Sequence, residues 1–195
     1  MKNWLLDKII KLFVLHDKVI DLLPNHKFLR KKVVMIKPRN CDDDRVYLER
    51  YIIFKFDFCS LYLHRFLMSD ESDLHNHPWE FRLLHLKGEY TELMYDGLRN
   101  VRDNYYTYDS INVVRRRAWD YNVRHRGSTH MIQLDKDYNN DIENAPMSIC
   151  LTFNRKYENG EAHWGFYENV SSDLPAKYLK LKYVPHNEYL AKKRA

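Results

Sequence analysis

The sequence predicts an all-β protein, a sandwich or barrel preceded by one helix. Three observations predict it. From about Val33 onward the chain divides into roughly ten short runs separated by turn signals. Those runs are rich in aromatic and β-branched residues, with fifteen tyrosines against five glycines. Helical spacing is confined to residues 3–23 and a short stretch of the tail.

Residues 3–23 read as a helix. Leu5, Ile9, Leu12, Phe13, Val19, Ile20 and Leu23 recur at helical spacing, and Asn3 and Pro24 bound the segment. Its balanced charges favour packing against the domain behind it over a membrane surface. Strands are then expected at Val33–Ile36, Val46–Phe54 and Ser60–Leu67, each rich in aliphatic or aromatic residues. The aspartates Asp42 to Asp44 lack the spacing of a calcium loop and read as a solvated turn. The next strand carries Leu74 to Phe81 and continues to Leu86, turning at Lys87-Gly88-Glu89 into Tyr90–Tyr95. Asp96-Gly97 is a hairpin-type turn. Strand-like runs follow at Tyr105–Tyr108, Ile111–Arg117, within Tyr121–Leu134, at Met147–Phe153 and at His163–Tyr167. The tail from Ser171 is polar and basic, with helix expected near Asn187–Lys193. The expected organisation is a helical extension over 1–30, a β domain over 31–170 and a basic tail over 171–195.

At 195 residues the chain is most simply one domain, long enough to bury a core. The net charge of +5 arises from many charges of both signs. That is not the signature of a dedicated nucleic-acid binder, and it fits a small anionic partner or a weak nucleic-acid contact equally well. Cys41, Cys59 and Cys150 are odd in number and far apart, so neither a disulfide framework nor a Cys-x-x-Cys metal site is expected. A signal peptide and an apolar run long enough to span a membrane are both missing, so the expectation is a cytoplasmic protein with no membrane partner.

The chemistry centres on Leu74-His75-Asn76-His77-Pro78-Trp79-Glu80-Phe81. Side chains alternate along a strand, so His75 and His77 project to one face and converge. Neutral imidazoles suit Zn, Fe, Ni or Cu. Trp79 and Phe81 continue that face as aromatic walls. Two surface histidines on a turn are the competing reading. A second histidine group follows in Trp119–His130, where Gly127 and His130 stand three residues apart.

With these residues in view, the chain resembles the cupin superfamily. Cupins carry two short motifs on a double-stranded β-helix, a jelly-roll barrel. His75 and His77 match the paired histidines of the first motif, and Gly88 its closing glycine. Phe81 falls where that motif has glutamate. In the second motif Gly127 and His130 match, while Trp119 stands at the first glycine, His125 at the proline and Leu134 at the asparagine. A narrower resemblance, over roughly residues 60 to 167, is to small cupin-like proteins of phages and bacteria with no assigned function. It is carried by Arg65-Phe66, Asp70, His75 to Phe81, Gly88, Tyr90, Glu92, His130 and Trp164-Gly165-Phe166.

The resemblance implies a jelly roll holding one divalent transition metal, with iron(II) favoured and zinc, manganese or nickel as alternatives. The expected ligands are His75, His77 and His130. Glu92 is the candidate fourth ligand, provided that the turn at Gly88 switches the inward parity and aims Tyr90 and Glu92 inside; a solvent-facing glutamate is the alternative. Glu92 and His125 are the candidate acid–base groups. Arg65, Arg124, Tyr90 and Trp79 are the candidate substrate-binding residues, the arginines as clamps for a carboxylate or phosphate. His85 reads as structural. The expected function is a metal-dependent enzyme acting on a small anionic molecule, first a dioxygenase-like oxidoreductase. The alternatives are a non-catalytic module sequestering a small molecule or nucleotide, and an interaction protein working through Asn3–Leu23 and the tail. A homodimer is the family-level expectation. The abundance of Asn, Lys, Tyr, Ile and Asp accords with a viral source, which would put the protein in a host cytoplasm.

Overall fold

The computed structural model describes residues 8, 28–36, 45–56, 58–70, 74–102, 105–153, 157–158, 161–162, 164–170 and 180–194. The helix expected over Asn3–Leu23 lies outside them apart from Lys8, as do Cys41 and Asp42 to Asp44. The strands are β1 (Phe28–Ile36), β2 (Arg45–Lys55), β3 (Cys59–Phe66), β4 (Leu74–Asn76), β5 (Glu80–Lys87), β6 (Tyr90–Asp96), β7 (Arg99–Arg102), β8 (Tyr105–Thr107) and β9 (Ser110–Arg116). They continue with β10 (Tyr121–Arg124), β11 (Thr129–Gln133), β12 (Met147–Phe153), β13 (Tyr157–Glu158), β14 (Glu161–Ala162), β15 (Gly165–Val170) and β16 (Lys180–Pro185), followed by helix α1 (His186–Arg194).

Two large sheets form, in the orders β1-β2-β3-β12-β5-β10 and β7-β8-β16-β15-β4-β11-β6-β9. Their centres, β3-β12-β5-β10 and β4-β11-β6-β9, are two four-stranded antiparallel sheets. The chain passes between them at β3 to β4, β4 to β5, β5 to β6, and again from β9 through β12. This is the strand order of a jelly roll. Strands β1 and β2 widen the first sheet, and β7, β8, β15 and β16 widen the second.

Where the sequence predicts one strand through Leu74 to Phe81, the structure has two strands in opposite sheets. Pro78 lacks an N–H for the ladder and restricts the residue before it, so pairing stops at Asn76 and resumes at Glu80. Phe81 therefore reaches the site from the sheet opposite His75. The stretch read as a tail contributes β16, paired with β15 from Gly165↔Pro185 to Val170↔Lys180, and α1 over the expected helical residues. Leu181 and Val184 are buried there.

Alternation sets the layers. Leu48, Phe66, Tyr90 and Ile132 pack together between the sheets, as do Tyr62, Phe81, Leu83 and Cys150. The intervening residues Tyr51, Leu63 and Met147 form a separate cluster on the other face of β2, β3 and β12. The turn between β5 and β6 uses Gly88 at φ 68°, where a Cβ would lie 2.9 Å from the Pro146 backbone. Cys59 and Cys150 are free thiols. Among the described residues, no helix is long and apolar enough to cross a membrane.

Candidate metal centre

His75 and His130 face each other across the β4–β11 pair. His77 follows two residues after His75 and projects to the same side, as strand alternation requires. Asn76 points the other way, and its Oδ1 accepts the Gly165 N–H at 2.8 Å, which pins β15 behind the ligand strand. Within the described residues one ring nitrogen from each of His75, His77 and His130 lies within 4.8 Å of the others. Nε2 of His77 and Nε2 of His130 are 3.0 Å apart.

A carboxylate sets the orientation of the His130 ring, and a second carboxylate lies near His75. Glu92 Oε1 lies 2.7 Å from His130 Nδ1. An ionised carboxylate only accepts, so Nδ1 carries the proton and the Nε2 lone pair faces His77. Burial works to raise the Glu92 pKa, but the hydrogen bonds and charges of His130 and Arg124 outweigh it and hold the carboxyl well below its ordinary range. Asp70 Oδ2 lies 3.8 Å from His75 Nδ1 and accepts the Ile132 N–H at 2.6 Å; Tyr47 donates to the other oxygen. Burial, with His75 and His130 beside it, pushes the His77 pKa well below the ordinary imidazole value, so the ring is held neutral.

Aromatic rings enclose the triangle. Phe81 stands edge-on to His77 at 5.0 Å, and Trp79 stacks at 5.5 Å. Trp164 and Phe166 add the β15 side, and α1 closes behind them with His186 on Trp164 and Tyr189 on Phe166, each at 3.8 Å.

The predicted residues distribute unevenly. The three histidines come together, and Tyr90 and Glu92 do face inward after the Gly88 turn. Glu92, the candidate fourth ligand, stands behind His130, on its Nδ1 side. Its oxygens are taken by His130, Arg124 and Arg116, the last two at 2.7 and 2.8 Å. Arg124 is thus spent on Glu92. Tyr90 is a core residue, packed on Phe66 and hydrogen-bonded to His85. Arg65 alternates to the opposite face of its sheet and pairs with Glu49 at 3.0 Å. Trp79 lines the site as expected. His125 is exposed in the turn before β11, and Gly127 of that turn donates to the His77 carbonyl at 3.2 Å. Sequence reasoning missed the supporting roles of Arg116 and Asp70; the inward parity of β9 was the available signal for Arg116.

The donor set suits a divalent metal. Two nitrogens 3.0 Å apart can share one proton at most, whereas a cation takes both lone pairs. That separation is what two metal–nitrogen bonds of about 2.1 Å span at roughly a right angle. The Nδ1 of His77 is buried without a hydrogen-bond partner. His75, His77 and His130 would hold the ion, with Glu92 and Asp70 behind them.

No family model and no curated protein matches the sequence. Similar solved structures include an iron(II) form of HppE, at 10% identity and TM-score 0.43 over 63% of this chain and 56% of that one. Another is Rru_A2000 from Rhodospirillum rubrum, a cupin-2 domain, at 15% identity and TM-score 0.41 over 65% and 72%. A third is the DMSP lyase DddQ from Ruegeria pomeroyi DSS-3, at 16% identity and TM-score 0.43 over 64% and 56%. The chain thus spans little more than half the length of HppE and DddQ. The similar solved structures thus include a cupin-2 domain and a protein with a double-stranded β-helix domain from Klebsiella pneumoniae, each at 15% identity.

Proposed function

We propose that the protein is a metal-dependent cupin-type enzyme that acts on a small anionic molecule, as a dioxygenase-like oxidoreductase using iron(II). The observation that carries this reading is the triangle of His75, His77 and His130, with carboxylates behind two of its rings. An iron(II) ion held by the three imidazoles would supply oxygen chemistry, whereas zinc, manganese or nickel would supply Lewis-acid chemistry. The chain's own residues do the rest. Glu92 holds the proton on Nδ1 of His130 and so keeps Nε2 available. Phe81, Trp79 and Trp164 narrow the access of water to the rings.

Elemental analysis of protein purified without chelators or an affinity tag tests the centre. About one metal per chain is expected, and its loss in the His75→Ala/His77→Ala double variant. A folded wild type that takes up no metal on reconstitution overturns the reading. Oxygen uptake by the iron-loaded protein with candidate organic acids then tests the reaction class. A tightly held metabolite without turnover would favour a non-catalytic binding module instead.

A further inference from the structure

We propose that Arg50 is an anion anchor inside the barrel, binding the carboxylate or phosphoryl group of a ligand whose other end reaches the His75–His77–His130 centre. For that far end the proposal rests on the metal-centre reading above; the anion site itself does not.

The argument begins with strand parity. On β2 the residues facing the space between the sheets are Leu48, Arg50 and Ile52, opposite Phe66, His64 and Tyr62 of β3. Leu48 and Ile52 pack into the two clusters between the sheets, so Arg50 is a charge in an apolar row. The residue is half-buried, so its charge keeps only part of its contact with water and gains from an anionic partner. The carboxylates of the interior are already engaged. Glu92 takes Arg116, Arg124 and His130, and Asp70 takes Tyr47 and the Ile132 N–H beside His75. Among the described residues no carboxylate pairs with Arg50. Its register neighbours are Lys32, a second cation, and His64.

Its orientation is nonetheless held. The Nε–H donates to His64 Nε2 at 3.0 Å, and the guanidinium lies 5.0 Å from the centre of the Tyr62 ring. Burial and the Arg50 charge hold His64 well below its ordinary pKa, so this partner is neutral and compensates nothing. Tyr62 packs in one cluster with Phe81, and Phe81 stands edge-on to His77 at 5.0 Å, so the guanidinium is linked to the metal centre through these two rings. The remaining N–H groups have no partner among the described residues. A planar fork of donors, fixed by stacking and by one hydrogen bond, fits two oxygens of a carboxylate or phosphoryl group.

The test uses the full chain without metal. Inorganic phosphate and malonate are titrated by calorimetry into wild type, Arg50→Met, Arg50→Lys and the His75→Ala/His77→Ala variant. Cobalt(II) uptake is followed separately by its visible spectrum. The expected result is saturable binding of one anion per chain for at least one probe. Affinity should fall at least tenfold in Arg50→Met, fall less in Arg50→Lys, and persist in the double-histidine variant. Cobalt uptake should be retained in both Arg50 variants. No saturable binding by wild type overturns the proposal, as does equal binding by a folded Arg50→Met protein. If Arg50→Met fails to fold, Arg50→Lys with unchanged affinities for both anions overturns it. Loss of cobalt uptake by wild type would instead count against the metal centre and leave the anion result readable.

Discussion

Glu92 Oε1 lies 2.7 Å from Nδ1 of His130, and this contact decides which ring nitrogen faces His77. The same carboxylate, 1% exposed, also receives Arg116 and Arg124. It is therefore both the orienting partner of one candidate ligand and the counter-charge of two half-buried cations. Glu92→Gln removes that charge with little change of shape. Metal affinity should fall about 10- to 100-fold, as when an outer partner of a ligand is lost. Stability should fall by about 2 kcal/mol, because two half-buried guanidinium groups lose their carboxylate. Competition against a coloured chelator and urea denaturation measure the two effects; unchanged metal affinity would show that Glu92 does not orient His130.

Phe81 packs against His77 and His130, with ring centroids 5.0 and 5.8 Å away. It stands where the resembled motif carries glutamate. Phe81→Glu should raise metal affinity at least tenfold by bringing a carboxylate to the open side. The metal-free protein should lose about 3 kcal/mol or more, through lost packing and a buried charge. A folded variant that binds metal no more tightly would mean that this direction does not lead to the ion.

Trp119 is 65% exposed and holds φ 76°, a left-handed conformation that suits glycine. Its N–H donates to the His85 carbonyl at 2.7 Å, so the turn is tied to β5. Trp119→Gly should raise stability by about 1 kcal/mol, since relief of backbone strain outweighs the larger freedom of the unfolded chain. Urea midpoints compare the two proteins, and an equal or lower midpoint would show that no strain is stored there.

His85 is buried, and its Nε2 accepts from Tyr90 at 3.2 Å and from Asn122 at 3.3 Å. Burial, with the Arg116 charge, pushes its pKa down to about 4 from the ordinary 6.5. Between these values the unfolded chain binds a proton that the folded chain does not, so stability rises with pH across that window. As pH falls from 6.5 to 4, His85 should account for about 3 kcal/mol of lost stability, at 1.36 kcal/mol per pKa unit. The loss should be smaller by that amount in His85→Gln, where His64 and His77 remain as further contributors. Denaturation at a series of pH values checks this; identical slopes in the two proteins would exclude His85 as a source.

Much of this protein was legible in the residues themselves. The period of two marked most strands, because a half-buried strand must alternate. The switch of inward parity at Gly88 was readable, because that turn needs a left-handed residue. The paired histidines announced a ligand strand, and the spacing of Gly127 and His130 announced its partner. Three glycine sites of the resembled motifs are left-handed here: Gly88, Gly127 and, without glycine, Trp119.

What only the tertiary structure decided concerns pairs distant in the chain. Local pattern says which face a side chain takes, not which sheet the strand joins. Hence Phe81 was placed on the histidine strand, although Pro78 sends it to the opposite sheet. Arg65 and Arg124 were equally plausible clamps until Glu49 and Glu92 were seen to pair with them. Arg50 drew no notice inside an apolar strand, because an inward charge becomes informative only once the interior carboxylates are known to be engaged. Residue type and spacing determined the fold class and the histidine trio; charge pairing across the barrel, which depends on distance through space, determined which ionisable groups remain available.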